Sequence, residues 1–423
     1  MPLRSDRFFQ WLDLFRWLAA LAVVFTHANN RFFTKVLSLP PTERSIGHYA
    51  FAIVSGFGWP AVMIFFVLSG YLVGGIWILK YQKDNNYSVV DYAVARLTRL
   101  WIVLIPAILL TFVFNIIGIH LFNGMETGIY TLYGSEGNVT LLHDAWTASC
   151  NIAFFQSALC FQYGGNGALW SLFNEFWYYV AFPFVLLGFF SNYSTYIRLA
   201  FVGMAGALLI FLGQFQFISA AAPLAPYFLL WCLGIVVALR DRPFIPMPPW
   251  LAAGLFLSYL LVWRTVPSSF LESQSHIRFA TDLVLTGLFA HLLMVMKADS
   301  RLPAPPLPGV SKALAGFSFS LYCINMPVLN LYAAAVMHWF ETGWKLVPRG
   351  IVDYLIALGG VAFSLLLAYL FSLATERNTS RIRALVSSRI GWTSAARLAP
   401  ADAPASDGPA ARDLPANGSR ART

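Results

Sequence analysis

The stretch WLDLFRWLAALAVVFTHANN, Trp11–Asn30, decides how the chain is read. It is apolar enough to enter a membrane, yet it carries Asp13, Arg16 and His27. Ionisable side chains inside a spanning helix are costly and mark functional sites by default. At about 100° per residue, the steps from Arg16 to His27 return to within roughly 20° of the starting direction, and Asp13 lies about 60° from Arg16. One helical face therefore presents all three groups, with His27 roughly 16 Å along the axis from Arg16. A cation stands near one membrane surface and an imidazole near the other.

The same character runs through the whole chain. Of its 423 residues, 58% are hydrophobic and only 11% charged, against about 25% charged in a soluble domain. Long apolar runs recur from end to end, which predicts an all-α, polytopic membrane protein in contact with the lipid bilayer. A β-barrel would show alternating segments of roughly ten residues instead. The net charge of +9 is scattered over helix ends and the tail, so it excludes nucleic acid as a partner. The first run is broken by Asp13 and Arg16 and lacks a clean cleavage site, so it does not read as a signal peptide. The four cysteines have no metal spacing, and no metal site is expected. Cys150 and Cys160 read as separate thiols unless both face an oxidising compartment.

Ten spans are expected, near 12–30, 60–79, 100–120, 170–190, 199–217, 224–240, 250–264, 279–297, 314–338 and 351–374. With the N-terminus inside, 21 of the 28 Lys and Arg fall on the cytoplasmic side, and an even number of spans puts both termini there. The piece near 146–161 is too short for a span and reads as re-entrant or interfacial. Loop 121–169, with YGSEGN and QYGGNG, suits a lid on the outer side. Residues 1–378 form the membrane domain. Residues 379–423 form a cytoplasmic tail, largely disordered and rich in Ala, Pro and Arg.

His27 is the candidate base, because a neutral imidazole can take a proton from a hydroxyl. Arg96 and Arg99, in ARLTRLW at the start of the third span, read either as positive-inside anchors or, with Arg16, as a phosphate clamp. Glu175, in GALWSLFNEFWYYVAFP, is a carboxylate in an apolar helix and needs a partner. It reads as lying at the depth of His27, positioned to orient the imidazole. Ser69, Gly70, Gly74 and Gly75 favour close helix packing. Ser318, Ser320, Tyr322 and Asn325 are polar groups within a span. Asp282, His291 and Asp353 are further intramembrane candidates.

LDLFRWLAALAVVFTH (Leu12–His27), FFVLSGYLVG (Phe65–Gly74), RLTR (Arg96–Arg99), LWSLFNEFWYYVAFP (Leu169–Pro183) and FSFSLYCINMPV (Phe317–Val328), in that order, resemble the acyltransferase type 3 family of bacterial membrane O-acyltransferases. The resemblance implies a multi-pass protein of the bacterial cytoplasmic membrane. It would use acyl-CoA, most often acetyl-CoA, to acylate a hydroxyl of a cell-surface polysaccharide or lipid-linked glycan. It implies His27 as the catalytic histidine with Glu175 as its acidic position, and Arg16, Arg96 and Arg99 as the family's arginines, here read as holding the CoA. Asp13, on the face of His27, is a further catalytic candidate. Ser69, Tyr71, Trp170, Ser171, Tyr322 and Asn325 become substrate-binding candidates. Three positions depart from the family pattern: Trp17 for a glycine, Asn174 for a second acid, and Asn325 near a frequent histidine. The competing reading is a transporter or glycan flippase that uses the same charged groups to relay protons. The missing internal repeat and the clustered inner arginines weigh against it.

Overall fold

The computed structural model describes residues 6–84, 88–134, 137–140, 143–217, 222–266 and 268–389. They are helical apart from short 3₁₀ turns, loops and a two-stranded ribbon, β1 Thr131–Gly134 and β2 Gly137–Thr140. The helices are α1 Asp6–Phe32, α2 Ile46–Val54, α3 Gly58–Ser69, α4 Ile76–Asp84, α5 Val89–His120, α6 Ala145–Ile152, α7 Trp170–Phe190 and α8 Thr195–Gln214. They continue as α9 Leu224–Leu239, α10 Pro249–Thr265, α11 Ser268–Ser273, α12 Ser275–Ala298, α13 Pro308–Ala315, α14 Ser318–Phe340, α15 Ile351–Ala374 and α16 Thr379–Arg389.

Among the described residues, eight helical stretches are long and apolar enough to cross a membrane. The expected spans 224–240 and 250–264 are the shorter helices α9 and α10. Helices dominate because in lipid each backbone N–H and C=O must find its partner within its own segment. On α5, Leu109, Phe112, Val113 and Ile116 are exposed at helical spacing, a stripe suited to lipid tails. On α14 the pattern is inverted. Ser318, Ser320, Asn325 and Asn330 are all buried, so this helix keeps its polar groups for its neighbours α1, α5 and α15.

Three spans carry a proline in the helix interior, which leaves a carbonyl four residues earlier without its helical donor. Two of those carbonyls receive side chains that tie the bundle together. Pro183 frees the Tyr179 carbonyl, and the Tyr92 hydroxyl donates to it at 3.1 Å. Pro327 frees the Cys323 carbonyl, and Asn166 Nδ2 donates to it at 2.8 Å. The glycines of the second span form a π-helical turn, Gly70–Gly75, laid against α9. A Cβ on Gly70 would strike the Trp231 carbonyl, and one on Gly234 would strike that of Val67. Close packing, the expected role of this segment, is therefore what it performs.

Four expectations change. The third span begins at Val89 rather than near 100, capped by Ser88 Oγ, so Arg96 and Arg99 lie about two turns inside the helix. The piece near 146–161 is the short helix α6 followed by a tight return, and Cys150 and Cys160 are disulfide-bonded. Disulfides belong to oxidising compartments, which accords with loop 121–169 lying on the outer side. The region expected as tail begins with an ordered helix, α16, packed on α5. Residues 390–423, the remainder of that tail, lie outside the described residues.

Candidate functional site

A cavity of about 390 Å³ opens between α1, α3, α5, α7 and α14. Asp13, Arg16, Ser69, Arg96, Arg99, Ser171, Glu175, Tyr179, Ser318 and Tyr322 supply its polar wall. Five separate segments thus bring together most of the candidate residues. Arg16 Nη1 lies 3.4 Å from Asp13 Oδ1, one turn away on the same helix, and its Nη2 donates to Ser318 Oγ at 3.5 Å. Asp13 is therefore the partner of Arg16 at this end of α1 and does not reach His27. Among the described residues, no ion pair engages Arg96 or Arg99. Arg96 Nε is buried with no hydrogen-bond partner, and Arg99 is exposed.

Glu175 is held in the cavity wall. Its Oε1 accepts from Ser69 Oγ at 3.1 Å and from the Tyr179 hydroxyl. Trp231 Nε1 donates to Ser69 Oγ at 3.1 Å, so the serine proton is directed to the carboxylate. No hydrogen bond or ion pair joins Glu175 to His27, contrary to expectation. The cause is the depth of α7. Loop 163–169 dips into the bundle, anchored where Asn166 meets the Cys323 carbonyl, so α7 starts below the level of Asn325 and carries Glu175 toward the arginines.

His27 lies beyond the cavity and does not line it. The wall at that end includes Ser171 and Tyr322, whose hydroxyls are 2.6 Å apart; Asn325 follows Tyr322 by one turn of α14. His27 Nδ1 is 2.5 Å from Asn325 Oδ1. The amide cannot face the other way, because its Nδ2 donates to the Leu321 and Tyr322 carbonyls at 3.0 and 2.7 Å. The Asn325 oxygen therefore accepts, and Nδ1 of a neutral His27 must carry the proton. Nε2 is left with a free lone pair, the form a general base requires. The neighbouring Thr26 pins this end of α1: its Oγ1 accepts from Gly58 N at 2.8 Å and donates to the Ser55 carbonyl.

The other candidates divide. Ser69, Ser171 and Tyr322 line the cavity. Asn325 serves His27 instead. Tyr71 is fully buried and packs edge-on to Phe8, outside the cavity. Trp170 stacks on Trp59 with ring centroids 5.5 Å apart. Asp282 is buried, accepting from Trp59 Nε1 and the Tyr227 hydroxyl at 2.8 Å each. His291 is absent from the cavity wall. Asp353 accepts from the Arg349 and Gly350 amides at the first turn of α15 and caps that helix. Two groups escaped the sequence reading. Tyr179 stands four residues after Glu175, a spacing that was legible. Trp231 reaches Ser69 from another helix, with no local signal.

Residues 9–373 match the family model described as an acyltransferase domain, of the type 3 family. No curated protein and no solved structure matches the chain.

Proposed function

Because this chain belongs to the acyltransferase type 3 family, we propose that it moves an acyl group, acetyl by preference, from cytoplasmic acyl-CoA to a hydroxyl of a surface or lipid-linked glycan at the bacterial inner membrane. The observation that carries this reading is the arginine-lined cavity. Arg16, Arg96 and Arg99 border one cavity with one ion pair among them, and guanidinium groups suit phosphate oxygens in bidentate geometry. CoA phosphates would rest on the three arginines. The pantetheine arm would extend past Glu175 toward the Ser171–Tyr322 contact, which must part for the thioester to reach His27.

In the transfer step, His27 Nε2 takes the proton of the acceptor hydroxyl. The oxygen attacks the thioester carbonyl, the C–S bond breaks, and the leaving thiolate takes the proton back from the imidazolium. The products are the O-acyl ester and CoA thiol. Asn325 holds the ring in the required tautomer, the orienting part that triad logic assigns to a third residue. Glu175 belongs to the donor cavity in this scheme. It keeps Ser69 and Tyr179 oriented around the arm.

The test is acetyl-CoA binding to purified protein in nanodiscs, wild type against Arg96→Ala/Arg99→Ala. Binding that depends on the arginine pair supports the scheme. If no acyl-CoA binds the wild-type protein, the donor assignment is wrong and solute flux becomes the assay of choice.

A further inference from the structure

The chain does not leave the bundle after its last span. It breaks at Thr375, makes the 3₁₀ turn Glu376–Asn378, and folds α16 back onto α5. In α16, Thr379, Arg383, Val386 and Ser387 are the covered positions, whereas Ser380, Arg381, Ile382, Ala384 and Leu385 are exposed. The spacing of four, three and one places the covered set on one helical face. Arg383 is in the middle of that face, against α5.

The group that Arg383 meets there is another cation. It lies close enough to Arg96 to interact electrostatically, Arg96 does the same with Arg99, and Arg99 with Arg16. Four guanidinium groups thus form a file from α16 to α1. The nearby acids serve its inner half. Asp13 pairs with Arg16. Glu376 stands near Arg16 and Arg99 while accepting from Ser320 N and Oγ at 3.0 Å each. Among the described residues, no ion pair engages Arg96, Arg99 or Arg383. Like charges held together in a partly desolvated place are unfavourable, and Glu175, the other acid in the cavity wall, is taken up by Ser69 and Tyr179, so the outer half of the file favours a further anion.

We propose that Arg383, with Arg96, binds the 3′-phosphate of coenzyme A, making α16 part of the donor site. This rests on the acyl-CoA reading above. The molecule carries phosphate in two places: a diphosphate next to the pantetheine arm and a phosphate on the adenosine ribose. With the arm in the cavity, the diphosphate falls to Arg16 and Arg99. The ribose phosphate is left at the rim, where α16 lies. The chemistry is charge-assisted hydrogen bonding to a phosphate dianion.

The experiment measures the affinities of coenzyme A and 3′-dephospho-coenzyme A for the full chain, wild type, Arg383→Ala and Arg383→Lys, in nanodiscs of purely zwitterionic lipid and in nanodiscs containing anionic lipid. The wild type should prefer coenzyme A by roughly tenfold or more, the scale of one charged hydrogen bond. Arg383→Ala should remove most of that preference, Arg96 retaining the rest, and leave dephospho-coenzyme A affinity unchanged, which also shows that the variant is folded. Arg383→Lys should restore part of it. An unchanged preference in Arg383→Ala, or an equal loss for both ligands, overturns the assignment. A preference that disappears in the wild type only when anionic lipid is present shows a headgroup competing for the same site and supports the assignment. An Arg383 effect confined to anionic discs and equal for both ligands makes it a lipid contact and overturns it. If neither ligand binds the wild-type protein, the acyl-CoA reading itself fails.

Discussion

The two ends of α1 are built on opposite principles. At the Arg16 end, charge is in excess: Arg16, Arg96 and Arg99 border one cavity, and one ion pair is formed among them. At the His27 end the orientation and tautomer of the ring are set within the protein. The Asn325 amide makes three hydrogen bonds, to His27, Leu321 and Tyr322, and Thr26 ties α1 to α3. The first end, with two of its three arginines outside any ion pair among the described residues, is the one suited to a polyanion. The second is set by one neutral hydrogen bond and needs no ligand to define it. On the proposed scheme, this contrast would let one helix hold a phosphorylated donor at one end and activate a neutral hydroxyl at the other.

The sharpest way to break the comparison is His27→Ala. Loss of a general base costs typically 10²–10⁴-fold in rate, so transfer to glycan should fall by about that much while acetyl-CoA still binds; transfer and binding assays on the same membranes decide it. Full activity would end the division of labour. Next in size is Arg96→Ala/Arg99→Ala. Each lost charged hydrogen bond is worth about 1.5–3 kcal/mol, so losing one from each arginine should drop donor affinity by about a hundredfold or more. Turnover at saturating donor should change far less. A fall in turnover with affinity intact would mean that the arginine end acts in the chemistry.

Asn325 sharpens the other half. Asn325→Leu removes the acceptor that fixes the ring, and turnover should fall roughly ten- to a hundredfold, the cost typical of losing a residue that orients a working histidine. Asn325→Asp keeps the acceptor for His27 but loses the donor to the Leu321 and Tyr322 carbonyls, so it should retain more activity than Asn325→Leu; equal losses in the two variants would reduce Asn325 to packing.

The smallest effect concerns charge at the His27 end. Lys345 donates to the Asn30 carbonyl at 2.6 Å, and burial, together with Arg31 and Lys35, lowers its pKa from 10.5 to about 8. Between those values the unfolded chain binds the proton and the folded protein does not, so stability should rise as pH goes from about 8 to 10.5. Melting temperatures in detergent across that range should show a gentle upward slope, reduced in Lys345→Met. A slope unchanged in that variant would place its origin elsewhere.

How much of this was legible depended on range. The five motifs, the helical class, Arg16 with His27 on α1, and the arginine pair of α5 all follow from spacings within one helix. The misplacement of Glu175 has a different source. Its depth was judged from its distance into its own helix, whereas the depth of α7 is fixed by Asn166 reaching Cys323, 157 residues away. The Cys150–Cys160 bridge depends on a return after α6 that no periodicity marks. Tyr71 was read as a ligand contact from its motif, and only packing against Phe8 shows it turned inward.

The sequence by itself determined the all-helical membrane class and the residues that stand together on each helix, because a helix in lipid satisfies its backbone locally and its apolarity is written residue by residue. Only the tertiary structure decided which helix ends share a cavity, that His27 is held by Asn325, 298 positions away, and that Glu175 is held by Ser69 and Tyr179 in the cavity wall. Helix faces in a membrane are all apolar enough for lipid, so hydrophobicity alone does not choose partners. The choice falls to small residues, proline-freed carbonyls and single polar contacts, which take effect only when the chain is folded.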